Sequence, residues 1–358
     1  MNNSSFINQT KSRNDPQKEA QLFWWIFGVL VTNAFGAIAN IILLIAMIIH
    51  RPLRQLPSRA LIIHCILIDI YASIIQVPTA TIPVYLTMAY TLAKHFCLYQ
   101  GIFGYFTYAA SMYSASVLAL HRLVATIFPQ YFNRLMTTRA TICLIVLPWF
   151  PIVIINIFPA LEIGLVMRRN IYTGACSFAP TGKSDVAINL YTTFAYYVPT
   201  VIMGVSYFVV LVRTWITYQK KKSSRALQRR MEISWMLFVS FIWHCCTIYP
   251  FIIINAFFAK EFARNFTAQL FIRWLGNSYN AVNPMFFWAS SKMFQEGVRK
   301  VLTCYHWRWA HGRVEPSRVS GSASRTDDMA MVAPSTRRTT FSERDVNAAA
   351  NKESGIAE

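Results

Sequence analysis

The sequence predicts an all-α membrane protein: a seven-transmembrane helix bundle with a short amphipathic surface helix after the seventh span. Hydrophobic residues make up 55% of the 358-residue chain and aromatic residues 15%. Most of the long apolar segments lack the polar face that a soluble helix requires. Each of them is also long enough to cross a hydrocarbon core of roughly 30 Å, which takes about 20 helical residues.

Seven apolar segments follow one another along the chain, covering residues 22–49, 60–88, 95–128, 140–162, 187–217, 231–258 and 267–290. Residues 1–21 are polar, without the pattern of a cleaved signal peptide, and predict an extracellular tail. Residues 22–290 then form the membrane domain. Residues 291–304 have apolar side chains at helical spacing opposite a basic face, typical of a helix on the membrane surface. Residues 305–358 have few large apolar residues and predict a disordered cytoplasmic tail.

Basic residues near the span ends predict the orientation, because cytoplasmic loops carry the excess of Lys and Arg. One set of loops holds twelve such residues and the opposite set holds six. The first set is therefore cytoplasmic, and the N-terminus lies outside. Four glycosylation sequons agree, since all fall on the outer side: Asn2, Asn3, Asn8 and Asn265. The chain has a net charge of +19. We expect its basic residues to contact anionic lipid headgroups rather than nucleic acid.

The cysteines point to one extracellular disulfide. Cys97 and Arg122 are 25 residues apart, which a helix converts into roughly 37 Å, so they lie at opposite membrane faces. Of the seven cysteines, only Cys97 and Cys176 face the oxidising exterior. We expect them to pair, with two unpaired thiols as the alternative. Cys304, on the cytoplasmic side at the end of the surface helix, is a candidate palmitoylation site.

Residues spaced along the helices resemble the motifs of the rhodopsin-like (class A) G-protein-coupled receptors. In chain order these are Asn40, Asp69, Cys97, Ser111, Arg122, Trp149, Pro159, Pro199, Tyr207, Pro250, Asn283 and Pro284. The loop around Cys176 is also similar to melatonin-like and invertebrate peptide receptors. The resemblance implies a plasma-membrane receptor that binds an extracellular ligand and activates a heterotrimeric G protein. It also implies that a receptor kinase and arrestin act on the tail.

Four positions depart from the family pattern: His121, Arg230, Ile248 and Phe287. His121 and Arg230 stand where the family carries acids that can hold the arginine of helix three. The other two replace a tryptophan of helix six and a tyrosine of helix seven. Because these positions restrain the inactive state in the family, we expect raised basal activity.

Five polar residues fall within one layer of membrane depth: Asn40, Asp69, Ser111, Asn280 and Asn283. A bare carboxylate near mid-bilayer costs several kcal/mol, so Asp69 needs partners or a proton. We interpret the five as a hydrated cluster similar to the sodium site of the family, in which a bound sodium ion is the one cofactor expected. A hydrogen-bonded packing network without an ion is the alternative.

Arg122, at the inner end of the third span, is the residue expected to couple to the G protein. The resemblance implies that Tyr207 faces it on activation, and His121 is its neighbour in sequence. An arginine that only snorkels to the interface is the alternative.

Three prolines interrupt helices: Pro199, Pro250 and Pro284. They are candidate hinges for an outward swing of helix six, and plain structural kinks are the alternative.

Arg273 is the most specific pointer to a ligand, since it lies in the outer third of the seventh span. Facing inward, it would clamp a carboxylate or phosphate, whereas near the surface it could equally snorkel. Neutral candidates are Gln76, Asn156 and Asn255, each of which could instead join helices. Gly104 stands where amine receptors of the family carry an aspartate. A peptide or an anionic lipid-like ligand is therefore favoured over a monoamine.

The sequence shows no sign of an enzyme or a metal centre, because it has no paired-carboxylate site, His-Glu motif or phosphate-binding glycine loop. Lone histidines inside the spans are interpreted as packing residues.

A transporter or a channel is the alternative function. Transporters tend to have inverted repeats and paired broken helices, and channels have rings of pore charges. This chain has an odd number of spans, no repeat and one mid-membrane acid.

Overall fold

The computed structural model describes residues 16–89, 95–169, 176–182, 186–220 and 225–310. Most of these residues are helical. Five helical stretches have the length and apolar composition needed to cross a membrane: Pro16–Ile49, Arg59–Val84, Thr138–Ala160, Val186–Lys220 and Arg230–Ile254. The expected helical character is therefore present, with five stretches among the described residues that are long and apolar enough to cross a membrane.

The helices and strands follow in a simple order. The first half of the chain forms α1 (Pro16–Ile49), α2 (Arg51–Arg54), α3 (Arg59–Tyr71), α4 (Val77–Ala89), α5 (Phe96–Ile127), α6 (Pro129–Leu135), α7 (Thr138–Val146) and α8 (Trp149–Ala160). The second half forms β1 (Leu165–Arg169), β2 (Cys176–Pro180), α9 (Val186–Thr192), α10 (Val198–Lys220), α11 (Arg225–Phe257), α12 (Ala259–Arg264), α13 (Phe266–Asn277), α14 (Tyr279–Ser290) and α15 (Lys292–Ala310). Single π-helical turns, Ala72–Gln76 and Thr193–Tyr197, join α3 to α4 and α9 to α10.

The ends of the helical region differ from the sequence expectation. Residues 16–21, expected in the tail, belong to helix α1. Helix α15 continues to Ala310, beyond the expected end at residue 304. The remaining residues of the two expected tails, 1–15 and 311–358, lie outside the described residues. The first of these segments contains Asn2, Asn3 and Asn8.

The segment between α8 and α9 contains an antiparallel hairpin that the helical patterning did not reveal. Strands β1 and β2 pair in a register that runs from Leu165 opposite Pro180 to Arg169 opposite Cys176. Gly164, just before β1, has a φ of +74°, which a residue without Cβ adopts at little cost. The expected all-α fold thus needs one correction, a short two-stranded sheet.

Helix α5 lies at the centre and packs against α3, α8 and α10. Its buried positions include many small side chains: Gly101, Ala109, Ala110, Ser111, Ser114, Ser116 and Ala119. Small residues let membrane helices approach closely, where dispersion contacts rather than water exclusion hold them together. One continuous hydrophobic core contains Met112, Met203, Met236 and Phe294.

Gly36 brings α1 directly against α14. A Cβ at this position would overlap the backbone and the side chain of Ala281. We therefore expect Gly36→Ala to destabilise the protein by about 1–3 kcal/mol, the usual range for overpacking. Gly28, in the same helix, is a matched control because nothing lies within 4 Å of its Cβ position. Gly28→Ala should keep or raise stability, since alanine favours helix by about 1 kcal/mol.

Thermal unfolding of the purified protein in detergent measures this difference. The midpoint is expected to fall for the Gly36 variant alone. Equal midpoints for the two variants would contradict the close approach of α1 and α14.

Helix α15 docks on the C-terminal end of α1 and on α2. Phe294 is fully buried, and a Cβ on Gly297 would lie 2.9 Å from Leu53 and 3.4 Å from His50. The opposite face carries Lys292, Glu296, Arg299 and Lys300, all exposed. The helix is thus amphipathic, with its apolar side held by the bundle.

Candidate functional site

A disulfide joins the outer end of α5 to the hairpin. The Cα atoms of Cys97 and Cys176 are 5.2 Å apart, and the bond closes a sequence separation of 79 residues. The pairing expected from the sequence is therefore present. The hairpin also lies against α5 through β1, because a Cβ on Gly101 would overlap the side chain of Met167. Together the two contacts fix the hairpin over the outer end of the helix.

Below the hairpin, aromatic side chains from three elements meet. The ring of Tyr105 on α5 lies 4.2 Å from that of Phe178 on β2, which lies 4.7 Å from that of Tyr191 on α9. Arg273, only partly exposed on α13, interacts electrostatically with Tyr105. Of the two orientations left open by the sequence, this interaction favours the one that faces the bundle. The sequence carried no local signal for Tyr105 or Phe178.

The three neutral ligand candidates have different surroundings. Gln76 lies in the π-helical turn after α3, with its amide nitrogen 3.6 Å from the Cβ position of Gly104. Asn156 donates to the carbonyl of Ile152 (2.8 Å) and accepts from the hydroxyl of Tyr191 (3.4 Å). Gln76 therefore faces α5, whereas Asn156 joins α8 to α9. The backbone of Asn255 lies in α11, and its side chain is outside the described part of the chain.

The buried carboxylate of Asp69 is held in a chain of hydrogen bonds across three helices. Asn283 on α14 donates to Asp69 (2.8 Å) and accepts from Ser240 on α11 (2.6 Å). These residues and Ser111 line one cavity of about 40 Å³. A single water needs about 10–15 Å³, so the cavity has room for ordered water or a hydrated cation. Asp69, Ser111 and Asn283 therefore meet as expected, and Ser240 joins them.

The remaining two members of the expected cluster form a separate contact. Asn40 donates to the backbone carbonyl of Asn280 (3.1 Å) and to that of Gly36 (3.1 Å). Neither Asn40 nor Asn280 lines the cavity around Asp69. The expected cluster of five thus divides into a group around Asp69 and a clamp between α1 and α14.

His244 is a wall residue of the cavity that sequence reasoning did not assign to the site. It is 1% exposed, and its ring packs edge-on against Tyr279 (4.7 Å) and parallel to Tyr108 (6.3 Å). The sequence signal was present, since a polar ring in an apolar span is costly. The local sequence does not encode the helix rotation that places His244 in the wall of the cavity.

At the inner end of α5, Arg122 interacts electrostatically with Tyr207 on α10 and with Arg230 on α11. Tyr207 is buried, and its hydroxyl lies 3.5 Å from the carbonyl oxygen of Ala115. His121 is also buried, but its ring packs against Phe132 of α6 at 5.3 Å. Arg122 thus interacts with Tyr207, whereas the ring of His121 packs against α6.

Two of the three candidate hinges lie inside helices, Pro250 in α11 and Pro284 in α14. Pro199 is the second residue of α10, directly after a π-helical turn, and its carbonyl accepts from Ser116 of α5 (3.1 Å). Cys304 lies within α15, and Asn265 caps α13 by accepting from the backbone N–H of Ala268 (3.0 Å).

A search of curated proteins finds no match to this chain. The family model described as 7 transmembrane receptor (rhodopsin family) matches residues 39–287, which is more than half of the chain. The matched region encloses the disulfide, the cavity around Asp69 and the inner end of α5. The chain therefore belongs to the rhodopsin family of seven-transmembrane receptors.

Proposed function

We propose that this protein is a plasma-membrane receptor that binds an extracellular ligand and activates a heterotrimeric G protein. The family match over residues 39–287 carries the proposal. The described geometry supports it, because the cavity that holds Asp69 is also lined by Tyr207, which lies beside Arg122. A rearrangement of helices around this cavity would therefore reach the cytoplasmic end.

In the proposed topology the seven spans are α1, α3 with α4, α5, α7 with α8, α9 with α10, α11, and α13 with α14. Helix α15 lies on the cytoplasmic surface, and the N-terminus is extracellular. The disulfide supports this orientation, since Cys97 must face an oxidising compartment. Glycosylation is then proposed at the outward-facing sequons Asn2, Asn3, Asn8 and Asn265.

Activation would begin between the outer halves of the helices and end at Arg122. A ligand held near Arg273 and Tyr105 would favour a bundle in which the inner part of α11 swings outward. Pro250, which lies inside α11, would provide the bend, while Pro199 and Pro284 would allow α10 and α14 to follow. The opened cleft would then expose Arg122 and Tyr207 to the G protein.

The cytoplasmic surface would hold the remaining partners. Lys292, Arg299 and Lys300 on the exposed face of α15 suit anionic lipid headgroups, and a palmitoyl group on Cys304 would add an anchor. A receptor kinase and arrestin would act on the Ser- and Thr-rich tail after α15.

We propose an anionic ligand, either an acidic peptide or an anionic lipid, because Arg273 faces inward beside aromatic rings. Cells that express wild type or Arg273→Ala would be screened with a panel of both ligand classes, with nucleotide exchange as the readout. An agonist of wild type should lose at least about 30-fold in potency on the variant, since truncating a buried charged partner costs about 2 kcal/mol or more. Arg264→Ala, exposed on α12, is the control and should respond as wild type. Equal potency on wild type and Arg273→Ala would refute the ligand role of Arg273.

A further inference from the structure

Two glutamine side chains meet beside a gap in the surface of α5. The Nε2 atoms of Gln76 and Gln100 lie 3.6 Å and 3.8 Å from the position that a Cβ of Gly104 would occupy. Apart from the chain next to Gly104, no other described side chain comes within 4 Å of that position. We call this space, bordered by Gly104, Gln76 and Gln100, the amide notch.

The amide notch opens toward the interior of the bundle. Gly104 shares one face of α5 with Tyr108 and Ser111, because residues three or four apart in a helix lie on the same side. Ser111 lines the cavity around Asp69, and the ring of Tyr108 stacks with that of His244 on α11 (6.3 Å). Gly104 is also seven residues from the disulfide-bonded cysteine of α5, which a helix converts into about 10 Å. A ligand that enters between the outer halves of the helices therefore reaches the notch.

Both glutamine carboxamides are available to such a ligand. Thr79 donates to the backbone carbonyl of Gln76 (2.9 Å), whereas neither glutamine side chain is hydrogen-bonded to any residue that the structure describes. A carboxamide has N–H donors and a carbonyl acceptor, so two of them can bond both the oxygen and the N–H of a peptide group. An ester has no N–H to donate, and a carboxylate would lose hydration that two neutral donors do not replace. Glycine at position 104 lets the ligand approach the backbone of α5 closely.

We propose that the amide notch binds a peptide group of the ligand. The carbonyl oxygen of that group accepts from the Nε2 atoms of Gln76 and Gln100, and its N–H donates to the Oε1 atom of one of them. The inference rests on the proposed function of the chain as a receptor, and it selects between the two ligand classes named there. The ligand is a peptide rather than an anionic lipid, and its acidic group is left to Arg273.

Small probes of nearly equal shape test the notch on the purified full-length receptor in deuterated detergent. N-methylacetamide is a single peptide group, methyl acetate is its ester analogue, and acetate is the carboxylate. Saturation-transfer NMR detects weak binding of each probe through its methyl protons, and titration gives the dissociation constants. N-methylacetamide is expected to bind about 2- to 12-fold more tightly than methyl acetate, which is the usual contribution of one net hydrogen bond.

Variants locate the binding. Gly104→Val fills the notch and should abolish the binding of N-methylacetamide, yet the protein should fold, because a Cβ there meets both glutamines at ordinary van der Waals distances. Gly28→Val is the matched control, since nothing lies within 4 Å of its Cβ position. Gln76→Leu and Gln100→Leu remove the donors at similar size, so each should weaken binding by about 2- to 12-fold even if the valine variant does not fold. Gln130→Leu, exposed on α6, should bind as wild type.

Equal binding of N-methylacetamide to wild type and to either Gly104→Val or Gln100→Leu would overturn the site. Tighter binding of methyl acetate or acetate in the notch would overturn the choice of a peptide. Neither result bears on the receptor assignment, because no G protein takes part in the measurement. A chain that binds N-methylacetamide in the notch but never stimulates nucleotide exchange would contradict the proposed function instead.

Discussion

Replacing Arg122 by alanine is expected to abolish nucleotide exchange on the G protein while leaving surface expression unchanged. Arg122 is proposed to reach the G protein when the inner ends of the helices separate, so its loss removes the contact that forms in the active state. The structure gives Arg122 no carboxylate partner among the described residues, so the substitution leaves no acid unpaired. Folding should therefore tolerate the change, in contrast to the loss of one partner of a buried ion pair.

The measurement is ligand-free nucleotide exchange in membranes that contain the receptor and purified G protein. The wild type is expected to signal above a vector control, since acids are missing at positions 121 and 230. The variant should fall to the vector level, with equal receptor at the cell surface. Arg134→Ala, on the exposed side of α6, serves as the control and should keep the wild-type rate. Unchanged exchange in the Arg122 variant would defeat its assignment to coupling.

Replacing Asp69 by asparagine is expected to abolish stabilisation by sodium. The carboxylate of Asp69, the hydroxyl of Ser111 and the amide of Asn283 line one small cavity, and such oxygen donors suit a hard cation. A bound sodium ion would supply the positive charge that offsets the cost of burying the carboxylate there. The amide of asparagine is neutral, so the variant gains nothing from the ion.

Thermal unfolding in sodium chloride and in choline chloride measures the effect. The wild-type midpoint should rise in sodium, and the Asp69→Asn midpoint should be the same in both salts and at least as high as that of wild type in choline. Asn40→Ala is the matched control, because Asn40 bonds to the backbone of Asn280 and does not line the cavity. It should lose stability in both salts yet keep its response to sodium. A full sodium response in Asp69→Asn would place the ion elsewhere.

For the five polar residues, the sequence predicts depth in the membrane but not the contacts between helices. Depth along each helix placed Asn40, Asp69, Ser111, Asn280 and Asn283 in one layer, because rise per residue is a local property. It did not show that Asn40 meets Asn280 while Asp69 meets Asn283. That division depends on the rotation of each helix about its axis. Helices that are apolar on all sides, as most are here, carry no polar face from which their rotation can be read.

At the two ends of the helix bundle, too, position in the sequence does not determine which side chains meet. Position alone placed Arg273 near the outer surface, but its electrostatic interaction with Tyr105 of α5 depends on how the helices are arranged in space. Likewise, His121 and Arg122 are neighbours in sequence, yet the first meets Phe132 and the second approaches Tyr207. Consecutive helical residues point about 100° apart, so adjacent side chains belong to different interfaces.

The sequence by itself determined the helical membrane class, the disulfide and the family. Hydrophobicity, compartment chemistry and ordered motifs are properties of the linear chain. Only the tertiary structure decided the hairpin over α5, the π-helical turns, the division of the polar layer and the burial of Nε and Nη2 of Arg122 without a hydrogen-bond partner among the described residues. These features arise where side chains from distant segments meet, and in lipid that meeting is set by close packing and hydrogen bonding rather than by burial of apolar surface.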